Sequence, residues 1–361
     1  MNPSLMTRVL VMCLFLSIWS FKTVEAQDVV AKNKDVSIGL LINDYNELEA
    51  TFAANYAVRQ INAKGGIHGR SVKLVTRSVE GTWGTGSNEV VHMVFQDKVE
   101  AILGSIDGRN SHLAEQVIAK TQVLYVSTWA SDPTLTQAYV PWYFSLVPTD
   151  DQQAEQFYNL LDNEKKSYRV LVLYDQSYDA SQALSSFKKL SEKHKRLDLD
   201  EIKFESQEIT AELKSRLLQL DYDAILLLGK DLPLSSVFQV LQDENVFLPV
   251  YVNSHAMSSM DFKLVKNLLK DQLINPNYIQ STTSEFSNLQ TQFIDTYNRE
   301  SGLIAAKVYD GLMMIAEGLK QAGSESEKLK NTVSGIKFQG VTGDIQFDSN
   351  GKLIAVHKSS K

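Results

Sequence analysis

The sequence has 361 residues, 43% of them hydrophobic and 22% charged, with a formal net charge of −7. This is an ordinary globular composition, with enough chain for two domains. The acidic balance argues against a nucleic-acid partner, because phosphate binding needs clustered positive charge.

Residues 1–26 read as an export leader. Arg8 is the lone charge before an apolar run over 9–19, and Val24-Glu25-Ala26 places small residues at the cleavage positions before Gln27. The run is short for a membrane helix, and nothing later reaches the roughly 18 apolar residues that a span needs. Removing Arg8, Lys22 and Glu25 with the leader takes the net charge from −7 to −8. The only cysteine, Cys13, lies inside the run, so the mature chain is expected to have no disulfide, no thiol chemistry and no cysteine metal site. No Asn-x-Ser/Thr sequon occurs, which leans toward a bacterial protein.

After Gln27 strand-like and helix-like segments alternate. VSIGLLI over 36–42 is a buried parallel strand, and 47–63 carries Leu48, Phe52, Tyr56, Val58 and Ile61 at helical spacing. INAKGGIHGR over 61–70 then turns the chain, with Gly65 and Gly66 ending the helix and Gly69 permitting entry to a strand over 71–76. A helix over 88–96, a strand over 99–103, a helix over 110–120 and a strand over 123–127 follow. Thr149-x-x-Gln152 has the capping-box form and opens a helix through Leu161. A second series has strands over 169–174, 201–204, 224–228 and 248–252, with helices over 181–193, 213–220 and 235–243. The basic cluster over 188–196 fits the solvated face and tail of one of these helices. Helices over 289–300 and 304–322, a glycine turn into a strand near Phe347, and a turn over 348–351 into a strand over 352–356 complete the chain. Two consecutive βα series predict two doubly wound, Rossmann-like α/β lobes with a cleft between them.

Catalytic signatures are absent from the sequence. The histidines, His68, His92, His112, His194, His255 and His357, form no H-E-x-x-H and no i, i+4 pair, and no G-x-S-x-G, P-loop or dinucleotide fingerprint occurs. No enzyme activity, metal or cofactor is expected. Open α/β sheets bind ligands outside the carboxyl ends of their strands, so the loops there supply the candidates. After the third strand come Asp107, Gly108 and Arg109, opening a helix whose free N–H groups suit a carboxylate or another acceptor. Asp107 or Asn110 is equally explained as the cap of that helix. Trp129 follows the fourth strand, as a stacking wall or as ordinary packing. Tyr178 follows RVLVLY, and Asn253 and His255 follow LPVYV.

Taken in order, these segments resemble the type I periplasmic solute-binding proteins, in the branched-chain amino acid and amide-binding branch. The likeness rests on the glycine junction over 61–70, VEAILG over 99–104, SDPTLT over 131–136, VPTDDQQA over 147–154, YDQSY over 174–178, and FQGVTG over 338–343 with Phe347-Asp348-x-x-Gly351. It covers nearly all of the mature chain. The resemblance implies two lobes joined by three hinge crossings, near Thr149, Ser281 and Leu353. Lobe 1 would hold residues 27–149 and 282–352, and lobe 2 residues 150–281 and 353–361. It also implies a monomer of the periplasm that closes on a small-molecule ligand and delivers it to the membrane permease of an ABC transporter. A sensory protein presenting its closed state to a receptor is the second reading, and an exported enzyme the third.

The resemblance has departures. The family generally has a serine where this chain has Gly108, and a small residue where it has Trp129, while Ser131 keeps a hydroxyl. The acid that holds a ligand's amino group aligns near Asn277, which is neutral, leaving Asp107 or Asp44 as substitutes. Tyr178 matches the family's aromatic, and Tyr45 and Trp83 follow strands on the same side. These differences favour an aromatic or polar organic acid or amide, stacked by Trp129 and Tyr178, with its acceptors on Arg109 and loop N–H groups.

Overall fold

The computed structural model describes residues 35–161, 165–205, 211–219, 221–259, 272–274 and 283–354. The expected leader, Cys13, Asn277, the crossing near Ser281 and the end of the strand over 352–356 lie outside the described residues.

β1 (Val36–Ile42) is apolar almost throughout, as a strand covered on both faces must be. It lies between β2 (Val72–Ser78) and β3 (Ala101–Ser105). β4 (Leu124–Ser127) and β5 (Tyr143–Ser145) extend this parallel sheet to the order β2-β1-β3-β4-β5. The helices α1 (Leu48–Ala63), α2 (Thr85–Phe95), α3 (Gly108–Thr121) and the short α4 (Pro133–Gln137) alternate with the strands. Between α1 and β2 the chain turns at Gly66, whose φ is +71° and whose added Cβ would lie 2.0 Å from the carbonyl oxygen of Arg70. Only glycine fits there without moving backbone. Ile67, buried beneath, exchanges backbone hydrogen bonds with Arg70.

The crossing to the second sheet opens α5 (Asp150–Leu160). The Thr149 hydroxyl accepts the Gln152 N–H at 3.3 Å, and Gln152 Oε1 accepts the Thr149 N–H at 2.9 Å, a complete capping box. The second sheet has the order β10-β9-β8-β6-β7, again parallel. Its strands are β6 (Tyr168–Tyr174), β7 (Leu197–Lys203), β8 (Ala224–Leu228), β9 (Val250–Val252) and β10 (Leu273–Ile274). The helices α6 (Tyr178–His194), α7 (Ala211–Gln219), α8 (Leu234–Asp243) and the single turn α9 (Ser254–Met257) accompany them. β7 begins four residues before the expected 201, because LDLDEIK is an edge strand whose acids interrupt the apolar pattern. Within the basic cluster, Lys188 pairs with Glu201 and Lys193 with Glu155 on the solvent side.

The chain then returns to the first sheet. α10 (Ser284–Tyr297), α11 (Leu303–Ala322) and α12 (Ser326–Ser334) are followed by the antiparallel hairpin β11 (Phe338–Gly340) and β12 (Gly343–Ile345). α11 is buried over most of its length and approaches the sheet closely at Gly311, where a Cβ would meet Leu103 at 2.5 Å. Ile38, Leu40, Ala53, Leu312, Ile315 and Leu353 share one core, whereas Leu171, Leu227, Phe238 and Val252 belong to a separate one. Each large aliphatic side chain so buried contributes about 1.5–3 kcal/mol. Each lobe therefore has its own core beneath its own parallel sheet. Among the described residues no helix is long and apolar enough to cross a membrane, and no group of His, Cys, Asp and Glu is placed to hold a metal ion.

Candidate functional site

In both sheets the strand order reverses beside the first strand, between β1 and β3 in one and between β6 and β8 in the other. The carboxyl ends at such reversals leave a crevice, because the flanking loops run off in opposite directions. Here the two crevices face each other, and side chains from the loops of one lobe meet those of the other.

The contact centres on Trp129 and Asp179. Asp179 lies in the first turn of α6 and is buried, as is Trp129 in the loop after β4. The Asp179 carboxylate accepts the Gly108 N–H at 2.8 Å and the Trp129 Nε1–H at 3.1 Å. Gly108 is the first residue of α3, so its N–H has no partner inside the helix, and the helix dipole adds to the attraction for a carboxylate. A Cβ at Gly108 would lie 2.9 Å from both Asp179 Oδ1 and the Tyr178 ring, so any larger residue would displace at least one of these side chains of the facing lobe. His255, on α9, stacks on the Trp129 indole with ring centroids 4.9 Å apart. Its Nε2 lies 3.1 Å from the Trp129 carbonyl oxygen, which can only accept, so Nε2 carries a proton.

A second link lies beside this one. The Tyr178 hydroxyl donates to Asp132 Oδ2 at 2.7 Å, and His112 Nε2 lies 3.0 Å from the same oxygen. Burial pushes the Asp132 carboxyl up, but hydrogen bonds from His112, Thr134 and Tyr178 outweigh it and hold the group well below the usual carboxylate range. The same contact with Asp132, followed by one with Glu115, raises His112 to about 9. Arg109 is exposed and sits over the Tyr178 ring, 5.6 Å from its centroid.

At the mouth of the cleft, Glu47 accepts Asn43 Nδ2–H at 2.9 Å and lies 3.7 Å from Lys230 Nζ of the facing lobe. Burial raises the Glu47 pKa, and Lys230 and Asn43 only partly offset it. Lys230 also stands over the Trp129 ring, 5.4 Å from its centroid.

Of the residues singled out from sequence, Gly108, Arg109, Trp129, Tyr178 and His255 are brought together by these contacts. Asp107 caps α3, accepting the Asn110 N–H at 2.8 Å. Ser131 donates to Asp150 at 2.7 Å, at the crossing between the lobes. Asn253 is buried behind the rim, where it caps α9 and accepts the Gly229 N–H. Tyr45 and Trp83 are exposed, at 65% and 83%. Asp44 is half-buried and accepts the Asn46 N–H in its own loop.

Asp179, Lys230 and Glu47 were not singled out from sequence. Asp179 directly follows the expected aromatic and reads as an acid in the first turn of a helix. Lys230 and Glu47 stand in the loops after β8 and β1, so the rule that loops at the carboxyl ends carry the site would have found both. An open groove of about 360 Å³ also runs beside the crossing, lined by Thr149, Gln152, Asn350 and Lys352 among others, and none of the residues of the cleft contacts lines it.

A family model described as periplasmic binding protein matches residues 48–358. The branched-chain amino acid transporter substrate-binding protein LivJ of Streptococcus pneumoniae, solved with isoleucine, superposes with a TM-score of 0.72 at 22% identity, covering 89% of this chain and 94% of that one. A solute-binding protein of an ABC transporter from Rhodopseudomonas palustris, solved with 3,4-dihydroxybenzoic acid, gives a TM-score of 0.69 at 15% identity, covering 89% and 91%. An amino acid binding protein of Pseudomonas aeruginosa is 26% identical over 147 residues, and the match spans 39% of each chain.

Proposed function

The chain belongs to the periplasmic binding protein family, and on that premise we propose that it captures a small organic ligand between its lobes by hinge closure. The ligand is amino acid-like, an amide or an aromatic acid, and the loaded protein hands it to the membrane permease of an ABC transporter. The observation that carries this reading is the convergence of loops from the carboxyl ends of both sheets on one another, at Gly108 and Trp129 on one side and Asp179 and His255 on the other. A ligand touching both sets stabilises the closed arrangement by its contacts with each. The lobes are taken as 27–149 with 282–352 and 150–281 with 353–361, acting as a monomer exported to the periplasm.

The neighbours solved with isoleucine and with 3,4-dihydroxybenzoic acid support this range of ligand chemistry. A thermal-shift screen of amino acids, aromatic acids, amides and small polyols tests it. One class is expected to raise the melting temperature of the wild type, since a ligand that binds only the folded state stabilises it. Trp129→Ala is expected to lose the shift. If no class shifts the melting temperature, solute capture is the wrong reading.

A further inference from the structure

Donors and acceptors are unequally occupied in the cleft. Both lobe 1 donors that reach across it, the Gly108 N–H and the Trp129 Nε1–H, end on the Asp179 carboxylate. That carboxylate comes from the opposite lobe and takes the place an anionic ligand would need. Two acceptors are left over. Among the described residues, His255 Nδ1 and Glu47 Oε2 are buried without a hydrogen-bond partner, in side chains that otherwise belong to the same inter-lobe contacts. Behind the rim, one buried donor, Asn253 Nδ2, is also without a partner among the described residues.

We propose that Asp179 sets the charge class of the ligand, so that the cleft selects compounds with N–H donors, an amine or a carboxamide, over carboxylates. This rests on the reading of the cleft as a solute site. A carboxylate arriving there finds its donors taken and a like group beside it, and two carboxylates cannot share one pair of N–H donors without repulsion. An N–H donor instead meets acceptors whose burial is uncompensated, His255 Nδ1 and Glu47 Oε2. Lys230 Nζ stands 5.4 Å from the Trp129 ring centroid and 3.7 Å from Glu47 Oε1, so this wall of the cleft already holds one ammonium of the chain, and Glu47 Oε2 is the oxygen left for a ligand donor.

Benzylamine, benzamide and benzoate share a ring and differ in the polar group, so calorimetric titration of the three reads the selectivity directly. Wild type is expected to bind benzylamine or benzamide at least about tenfold more tightly than benzoate, and Asp179→Ala to move that ratio at least about tenfold toward benzoate. Asp179→Asn keeps the side chain's size without its charge, and is expected to fall between the two. Preference of the wild type for benzoate, or a ratio unchanged in both variants, overturns the proposal. Absence of binding by all three probes to every protein overturns it too, while solute capture is judged separately by the wider melting screen.

Discussion

Trp129 and His255 stack across the two lobes at 4.9 Å and 23°, and His255 Nε2 donates to the Trp129 carbonyl at 3.1 Å. The loop after β4 and the loop after β9 are therefore held in one relative orientation by a ring contact and a hydrogen bond. Trp129→Ala removes the ring contact, the indole donor to Asp179 and the platform beneath Lys230. A stacked pair adds about 0.5–1.5 kcal/mol beyond its buried area, enough to shift an opening equilibrium several-fold. The ligand-free variant is expected to open, with a larger radius of gyration by small-angle scattering and little loss of far-ultraviolet circular dichroism. An unchanged radius would show that Trp129 does not hold the lobes together.

The link from His112 through Asp132 to Tyr178 makes stability depend on pH. The contacts with Asp132 and then Glu115 raise His112 to about 9 from an ordinary 6.5. With the folded value above the unfolded one, the contribution is fully present below pH 6.5 and is lost as the pH rises through about 9. Melting temperature is expected to fall across that window, and His112→Gln to flatten the fall. Since His112 is partly exposed, solvent screening keeps the effect below what the shift alone implies. A wild-type curve that is flat across the window, or one unaltered by the substitution, would remove the ionic part of this link.

Much of the architecture is legible in the residues. Apolar runs such as VSIGLLI, the Thr149–Gln152 capping box and the glycine junction at Gly66 are local patterns, and the local backbone obeys them. β5 and β10 leave no local pattern, because YFS and LI are too short to show a period. The cleft is less legible for a different reason. Asp179 matters because a turn of α6 in one lobe is brought to the start of α3 in the other, a contact 71 positions apart in sequence. No local pattern encodes that meeting. Trp129, Tyr178 and Gly108 are legible because they stand in loops at the carboxyl ends of strands, where open α/β sheets bind. The partner each would meet depends on the closure of two separately folded cores.

Lys307 and Asp310 lie buried behind the β11–β12 turn and are linked through Thr342, whose hydroxyl accepts from Lys307 Nζ at 3.3 Å and donates to Asp310. Asp310 accepts the Val341 N–H at 2.7 Å, the Thr342 N–H at 2.8 Å and the Thr342 hydroxyl at 2.6 Å. Burial lowers Lys307 to about 8 from 10.5, with Asp310 opposing the shift. The unfolded chain therefore binds more protons between pH 8 and 10.5, and this pair's contribution to stability rises across that range. Lys307→Met is expected to remove the rise. Asp310→Ala leaves two turn N–H groups and the Thr342 hydroxyl without their acceptor, and is expected to cost about 3–5 kcal/mol in urea unfolding. A loss below 1 kcal/mol, on the order of an exposed ion pair, would show that the turn is held by other contacts.

Asp150 stands at the crossing and gives the opposite sign. It is 1% exposed, and Oδ1 accepts the Ser131 hydroxyl at 2.7 Å while Oδ2 is buried without a partner among the described residues. Burial, opposed by Ser131 and aided by the charges of Asp179 and Asp132, pushes its pKa well above 3.8. An acid whose folded value is raised contributes stability that is present below the unfolded value and lost as the pH rises through the folded one. Asp150→Asn keeps the shape and the acceptor for Ser131 and carries no charge at any pH. The variant is expected to be more stable at pH 7, by about 1 kcal/mol or about 2–4 °C in melting temperature. The difference is expected to vanish well below pH 3.8, where the wild-type carboxyl is protonated even in the unfolded chain. The backbone N–H of residue 150 donates to the Ser131 carbonyl in either case, so the crossing keeps its path. A variant less stable than wild type at pH 7 would mean that a negative charge at this crossing is itself stabilising.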